Sequence, residues 1–401
     1  MKKLCSVNEA HNIIQNHLWT SSVCELPSTE AVNRIIAENL IADRDLPPFN
    51  QVKMDGIAIA FVAFKTGIRS FKIQYTLAAG MQPEPLISSE NCIEIMTGAV
   101  LPDGCDSVIR YEDLNISEGI ATVVIDGINA SQNIHNQGFD KKKGDLLVPA
   151  NSLFRAAEQG IAASIGKSTI KVFSQPRIAI ISTGDELVAI DEMPLPWQIR
   201  RSNAPAIQTL LQQDGVKSDS FHLPDDENSI LNFLLENEAN YDCFLFSGGV
   251  SKGKFDYLPS CFEKSGFTIQ LHGVKQRPGK PFLFAEKQNK FIFGFPGNPV
   301  STIVCAIRYF KPWLQSSCFG SKNKCFAKLN SDFEFKPSLS YFLEVKAGIE
   351  KDATLYANPV KGHGSGDLAN LSEVSGFLEL PEERSTFEKG EVFPYWPFSK
   401  I

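Results

Sequence analysis

Three glycine-rich segments between residues 244 and 301 combine residue types and spacings that could do chemistry, and each follows an apolar run. They read Phe-Leu-Phe-Ser-Gly-Gly-Val-Ser-Lys-Gly-Lys-Phe-Asp (244–256), Arg-Pro-Gly-Lys-Pro (277–281) and Phe-Gly-Phe-Pro-Gly-Asn-Pro-Val-Ser (293–301). Glycines at strand ends let backbone N–H groups approach a ligand closely, and a helix N-terminus beside them favours anions. Ser247, Gly248 and Gly249 would expose many donors directly after a buried strand. Arg277 and Lys280 place two cations around the Pro278-Gly279 turn, and the flanking prolines hold them in place. In Pro296-Gly297-Asn298-Pro299, Asn298 suits a helix N-cap and Pro299 the first helical position. Together the three loops describe a pocket for a phosphorylated or otherwise anionic molecule.

Carboxylates accompany the loops. Asp256 ends the first loop, where it fits an N-cap for Tyr257-Leu258-Pro259, a role that leaves it open to metal or ligand contact. Ser182-Thr183-Gly184-Asp185-Glu186-Leu187 follows a strand and could equally be an acidic exposed turn. Met54-Asp55-Gly56 and Gly138-Phe139-Asp140 are weaker signals. Paired carboxylates suit Mg²⁺, an oxygen-seeking ion that bridges to substrate phosphate. The six histidines show no ligand spacing, which argues against a His/Cys zinc site. The nine cysteines form no C-x-x-C pair, and several lie in apolar runs and read as small core residues. Neither a G-x-S-x-G nucleophile elbow nor a Walker A pattern occurs.

The elements that must position these residues follow from pattern. At 401 residues the chain has room for two or three domains. Its 43% hydrophobic and 21% charged content suits soluble globular domains with real cores. A net charge of −7 argues against nucleic-acid binding driven by bulk charge, so an anionic ligand needs the local cations of Arg277 and Lys280. No run of 18 apolar residues exists, and the expectation is a reduced, cytoplasmic protein without a membrane partner. Residues 6–42 read as helical, with Ser6 and Glu9 matching a capping box and Ala31, Ile35, Ile36 and Leu40 at helical spacing. Short strands separated by turns follow to about 150, and a helical pattern returns at 153–165. Strands at 177–182, 243–246 and 291–295 then alternate with helices at about 203–214, with Asn203 as its cap, 226–238 and from 299. That alternation implies a parallel sheet covered on both faces, with its ligand crevice at the C-terminal strand ends. Beyond about 326 only strand signals remain, as in a small barrel or sandwich.

Taken in order, these segments closely resemble the molybdopterin molybdenumtransferase family, the MoeA-type enzymes of molybdenum cofactor biosynthesis related to the E domain of gephyrin. The matching pieces are Pro48-Phe49-Asn50 with Met54-Asp55-Gly56, Ile95-Met96-Thr97-Gly98-Ala99, Asn133-Ile134 through Asp140, and Ser182 to Leu187. Asn203, Asp225-Asp226, Ser247 to Ser251, Asp256, Pro278 to Pro281, Pro296 to Pro299 and Gly364-Ser365-Gly366 continue the match. Against the family pattern, Arg277 stands for a lysine, Gly273 omits a second one with Lys275 close by, His135 replaces an arginine and Gly366 a histidine.

The resemblance implies a multidomain α/β plus β fold. Residues 1–45 with 143–175 would form a discontinuous N-terminal helical linking domain, and 46–142 an inserted β-rich domain. Residues 176–325 would be the parallel-sheet molybdopterin-binding α/β domain and 326–401 a C-terminal β-barrel. It also implies a homodimer with its active site between the α/β domain of one subunit and the inserted domain of the other. The implied reaction joins molybdate to adenylylated molybdopterin with Mg²⁺, giving molybdenum cofactor and AMP. Carried over by position, Asp55, Asp140, Glu186, Asp225, Asp256 and Lys280 are catalytic candidates, with Glu186, Asp225 and Asp256 as metal ligands. Thr97, Ser247, Gly248, Gly249, Ser251, Arg277, Pro278, Gly279, Pro296, Gly297, Asn298 and Ser365 would bind substrate. A separate molybdopterin adenylyltransferase and acceptor molybdoenzymes are the implied protein partners. Competing readings are the adenylylating step, catalysed by relatives that share the α/β domain alone, and a non-catalytic scaffold of the same fold.

Overall fold

The computed structural model describes residues 4–250, 257–320 and 324–399. The chain forms two compact units, one of residues 27–29 and 38–170 and the other of residues 1–26, 30–37 and 171–401. No helix among the described residues is long and apolar enough to cross a membrane.

The unit holding residues 38–170 is built on a six-stranded sheet. Its strand order is Ser107–Arg110, Gly56–Ile59, Asn91–Ile95, Ser70–Leu77, Ile120–Val123, Leu114–Ser117. All neighbours are antiparallel except Ser70–Leu77 with Asn91–Ile95. Side chains alternate between two cores, with Ile57, Ile59 and Ile109 on one face and Ala58, Ile93 and Val108 on the other. Beside it, Gln51–Val52 pairs with Ile134–His135, which carries the 134–140 segment. The helix expected at 153–165 spans Ala156–Ser164.

The larger unit opens with the Val7–Gln15 helix, whose Ser6/Glu9 capping box is complete, with bonds of 2.7 and 3.2 Å. The helix ends there, so the helical reading of 16–42 is corrected. Val23–Pro27 is a strand, and Leu40–Ile41 pairs with Leu146–Val148 in the other unit's own fold. Ala31, Ile36 and Leu40 are fully buried, but from turns and extended chain. Ala37 N–H donates to Lys171 O at 2.8 Å, so tertiary pairing overrides the helical spacing here.

The central sheet of this unit runs Ser218–Leu223, Ile178–Thr183, Cys243–Ser247, Lys290–Phe295, Leu283–Lys287, Thr268–His272. The first four strands are parallel, as the alternation predicted. The last two add an antiparallel edge that the sequence reading did not separate out. Both faces are covered. Ile178, Ile180, Leu245 and Phe293 pack with Ile207, Leu211, Val304 and Trp313 on one side, and Ala179, Ile181, Phe244 and Phe246 with Ile230, Leu234 and Phe262 on the other. Burying each such large side chain contributes about 1.5–3 kcal/mol. Register aligns Ser182 with Ser247 and Ser247 with Phe295, so the loops after these strands emerge at one edge.

The C-terminal strands Ser340–Ile349, Leu355–Pro359, Cys325–Leu329, Val392–Pro397 and Gly376–Leu380 close into a five-stranded barrel through the first-to-last pairing. Leu329, Leu343, Val345 and Leu378 fill it. Gln276–Arg277 joins this sheet from outside, parallel to Ser340-Tyr341.

Candidate functional site

Two cavities open where the glycine loops meet, and both belong to the larger unit. The smaller, of 330 Å³, is lined by Glu186, Arg200, Arg201, Asn203, Ser247 and Gly297, among others. The larger, of 580 Å³, is lined by Arg277, Lys280, Tyr341, Glu344, His363 and Ser365, among others. Pro296 and Asn298 line both and form a shared wall.

The wall of the smaller cavity is tied together by Asn203. Its Nδ2 donates to Ser247 Oγ at 2.8 Å and to Gly297 O at 2.7 Å, linking the ends of two parallel strands. Asn203 therefore does not cap its helix, which begins at Asn203 itself and lacks a side-chain cap. Gly248 and Gly249 have positive φ, and a Cβ on Gly248 would lie 2.7 Å from Thr183 O. Only glycine lets the loop lie so close to its neighbouring strand. The Thr183 hydroxyl beneath these glycines is buried and has no hydrogen-bond partner among the described residues. An unpaired buried hydroxyl at a loop of N–H donors suits a site that receives a polar ligand.

The acids follow the strand ends. Glu186 lines the smaller cavity, and its carboxylate packs against Gly184, where a Cβ would lie 2.7 Å from Oε2. Asp225 N–H donates to Asp185 Oδ1 at 3.3 Å, which joins the loops after adjacent parallel strands. Asp226 caps the next helix by accepting from Ser229 N–H at 2.8 Å, and that bond leads the contacts that lower its pKa. Glu186, Asp185 and Asp225 are oxygen donors at neighbouring strand ends, a chemistry that fits Mg²⁺. Among the described residues no three His, Cys, Asp or Glu side chains form a metal cluster. Ser251 and Asp256, the latter expected as a third ligand, lie outside the described residues.

In the larger cavity Arg277 and Lys280 are exposed cations on the Pro278-Gly279 turn. A buried polar chain supports that turn: Tyr309 O–H donates to Gln276 Oε1, and Gln276 Nε2 donates to Pro278 O at 2.9 Å. Gly279 is required above it, since a Cβ would lie 2.6 Å from Cys305 Sγ. Asn298 bonds Ser365 Oγ through Nδ2 at 2.9 Å rather than capping its helix, so the N-cap expectation fails for its side chain. Glu344 enters from the barrel; burial pushes its carboxyl pKa up, opposed by the bond from Asn370 Nδ2.

Asp55, Thr97 and Asp140 belong to the other unit. Asp55 Oδ1 accepts from Thr97 N–H at 2.6 Å and from Thr97 Oγ1 at 2.7 Å, which lowers its pKa. Asp140 Oδ1 lies 3.0 Å from His135 Nε2.

The comparisons with known proteins account for nearly the whole chain. Residues 5–166 match the MoeA N-terminal region (domain I and II), 179–316 a probable molybdopterin binding domain, and 327–398 the MoeA C-terminal region (domain IV). A molybdopterin molybdenumtransferase of Synechocystis is 38% identical over 401 residues, covering 98% of this chain and 100% of that protein. The chain belongs to the MoeA family. A molybdopterin molybdenumtransferase of Staphylococcus epidermidis is 29% identical, over 96% of this chain and 94% of its own. The molybdopterin biosynthesis MoeA protein of Pyrococcus horikoshii superposes with a TM-score of 0.81 at 26% identity, covering 100% of both chains.

Within this MoeA fold, sequence reasoning missed Arg200, Arg201 and Ser202 in the smaller cavity, and Tyr341, Glu344 and His363 in the larger. The Arg-Arg-Ser-Asn run just before a helix was a usable signal for the first three. No local signal marks Glu344, which lies mid-strand in the barrel.

Proposed function

We propose that this chain is a molybdopterin molybdenumtransferase of molybdenum cofactor biosynthesis, joining molybdate to adenylylated molybdopterin with release of AMP. The observation that carries the reading is the pair of cavities sharing the Pro296 and Asn298 wall. One offers Ser247, Gly297, the Glu186 carboxylate and the cations Arg200 and Arg201; the other offers Arg277 and Lys280. Two anions must meet in this reaction, and fixed cations and N–H donors offset their repulsion. Ser247, Gly248, Gly249, Ser251, Pro296, Gly297 and Asn298 bind the pterin phosphate and adenylate. Arg277, Pro278, Gly279, Lys280 and Ser365 hold molybdate. Glu186, Asp225 and Asp256 are the residues that would hold Mg²⁺, which supplies charge neutralisation at the phosphoanhydride. Hydrolysis of that bond by one water, giving AMP and the pterin phosphate, demands positioning more than covalent chemistry from the protein.

The reading extends to assembly. The functional protein is a cytoplasmic homodimer with the four-part domain division given above. Asp55, Thr97 and Asp140 of one subunit complete the site of its partner, as the family resemblance implies. An adenylyltransferase and acceptor molybdoenzymes are its protein partners.

Incubating the protein with adenylylated molybdopterin, molybdate and Mg²⁺ tests the reading. Release of AMP together with metallated pterin is expected. Conversion of unmodified molybdopterin and ATP instead would establish the adenylylating step, and no turnover of either would leave the scaffold reading.

A further inference from the structure

The hydrogen-bond polarity around Asn203 has a consequence for the smaller cavity. Asn203 Nδ2 lies 2.7 Å from Gly297 O and 2.8 Å from Ser247 Oγ. A carbonyl oxygen only accepts, so the NH₂ end of the amide must face Gly297. The second hydrogen of that NH₂ group then goes to Ser247 Oγ. Ser247 is the acceptor in this bond, and its single hydrogen is left to donate elsewhere. Among the described residues no protein acceptor takes it, Glu186 included, although Ser247 is only 3% exposed. The hydroxyl lines the 330 Å³ cavity with Arg200 and Arg201. Thr183 adds a second buried hydroxyl without a partner at the adjoining glycine loop.

We propose that Asn203 is a positioning residue that commits the Ser247 hydroxyl to act as a donor to a phosphate oxygen in the smaller cavity. The inference rests on the anionic-substrate reading above and deepens it. A free serine would divide its hydroxyl between donating and accepting roles. One held by an amide N–H is ready to donate without reorganising, and so discriminates in favour of an oxyanion. Asn203 is also the first residue of its helix, so the same side chain fixes the Gly297 loop against the Cys243–Ser247 strand end.

A double-mutant cycle tests this, with AMP and inorganic phosphate as probes and calorimetric titration of the full-length protein as readout. Ser247→Ala should weaken AMP binding about tenfold, the loss of one hydrogen bond to a charged group. Asn203→Ala should cost a similar factor in the wild-type background and almost nothing on top of Ser247→Ala. If Asn203 serves only to brace the Gly297 loop, its loss costs the same in both backgrounds, and that additivity overturns the proposal. Should Asn203→Ala fail to fold, Asn203→Asp is nearly isosteric and cannot donate. Ser247 must then give its hydrogen to the new carboxylate, and AMP affinity should fall further in the wild-type background than in Ser247→Ala. An equal fall in both overturns the proposal, as does a wild-type protein that binds no AMP. A wild-type protein that binds AMP but makes no metallated pterin would refute the transferase reading alone, leaving the cycle to decide the role of Asn203.

Discussion

Replacing Tyr309 by Phe isolates one buried hydroxyl beneath the Arg277–Lys280 turn. Tyr309 and Gln276 are each 1% exposed, and the Tyr309 ring stacks on Phe282 with centroids 4.6 Å apart. Phenylalanine keeps that ring and its packing, so the substitution removes little apolar burial. What it removes is the O–H that donates to Gln276 Oε1. The glutamine oxygen is then buried without a partner, which costs about 1–3 kcal/mol. A central loss of about 2 kcal/mol corresponds to a fall of roughly 4–8 °C in Tm for a unit of this size. Calorimetric unfolding of the full chain reads it. Adding Gln276→Met removes the stranded acceptor and should recover most of the lost stability. It also removes the Nε2 donor to Pro278 O, so anion affinity at Arg277 and Lys280 should stay reduced when stability returns. A Tm for Tyr309→Phe within about 1 °C of wild type would refute the reasoning, since by this argument an unpaired buried acceptor carries a measurable cost.

Other expectations follow from the same geometry. Lys280→Ala should weaken molybdate or pterin-phosphate binding roughly tenfold at low salt, and unchanged affinity for both would remove it from the site. Gly248→Ala would force a Cβ to 2.7 Å from Thr183 O at a φ of +106°, so a lower Tm and weaker AMP binding are expected; a fully stable variant would mean the loop moves freely. Mixing the inactive variants Asp55→Ala and Glu186→Ala under subunit exchange should restore part of the activity; none despite proven heterodimers would argue for sites within single subunits. Burial, then the charge of Arg308, lowers the His11 pKa to about 4. An unfolded histidine titrates near 6.5, so the unfolded chain binds the extra proton between these values. Stability should therefore decline as pH falls from about 6.5 to about 4, and His11→Phe should flatten that slope in urea titrations at fixed pH.

Much was readable in the chain because its physics is local. Alternating apolar runs determined the parallel strands, since a strand buried on both faces must be apolar throughout. Gly-Gly and Pro-Gly pairs marked the loops, since only certain residues accept their dihedral angles. The Ser6/Glu9 capping box was legible for the same reason. Other features depend on contacts distant in sequence. Ala31, Ile36 and Leu40 look helical by spacing, yet Ala31 lies beside a local turn, and pairing with Val172 and Val148 makes Ile36 and Leu40 extended chain. Asn203 and Asn298 look like helix caps, but each amide turns instead to a serine brought close by folding, 44 and 67 residues away. Glu344 and the Tyr309–Gln276 support carry no local signature at all. Their meaning comes from burial, which makes a carboxyl harder to ionise and an unpaired amide costly, and only the tertiary structure decides which groups are buried together.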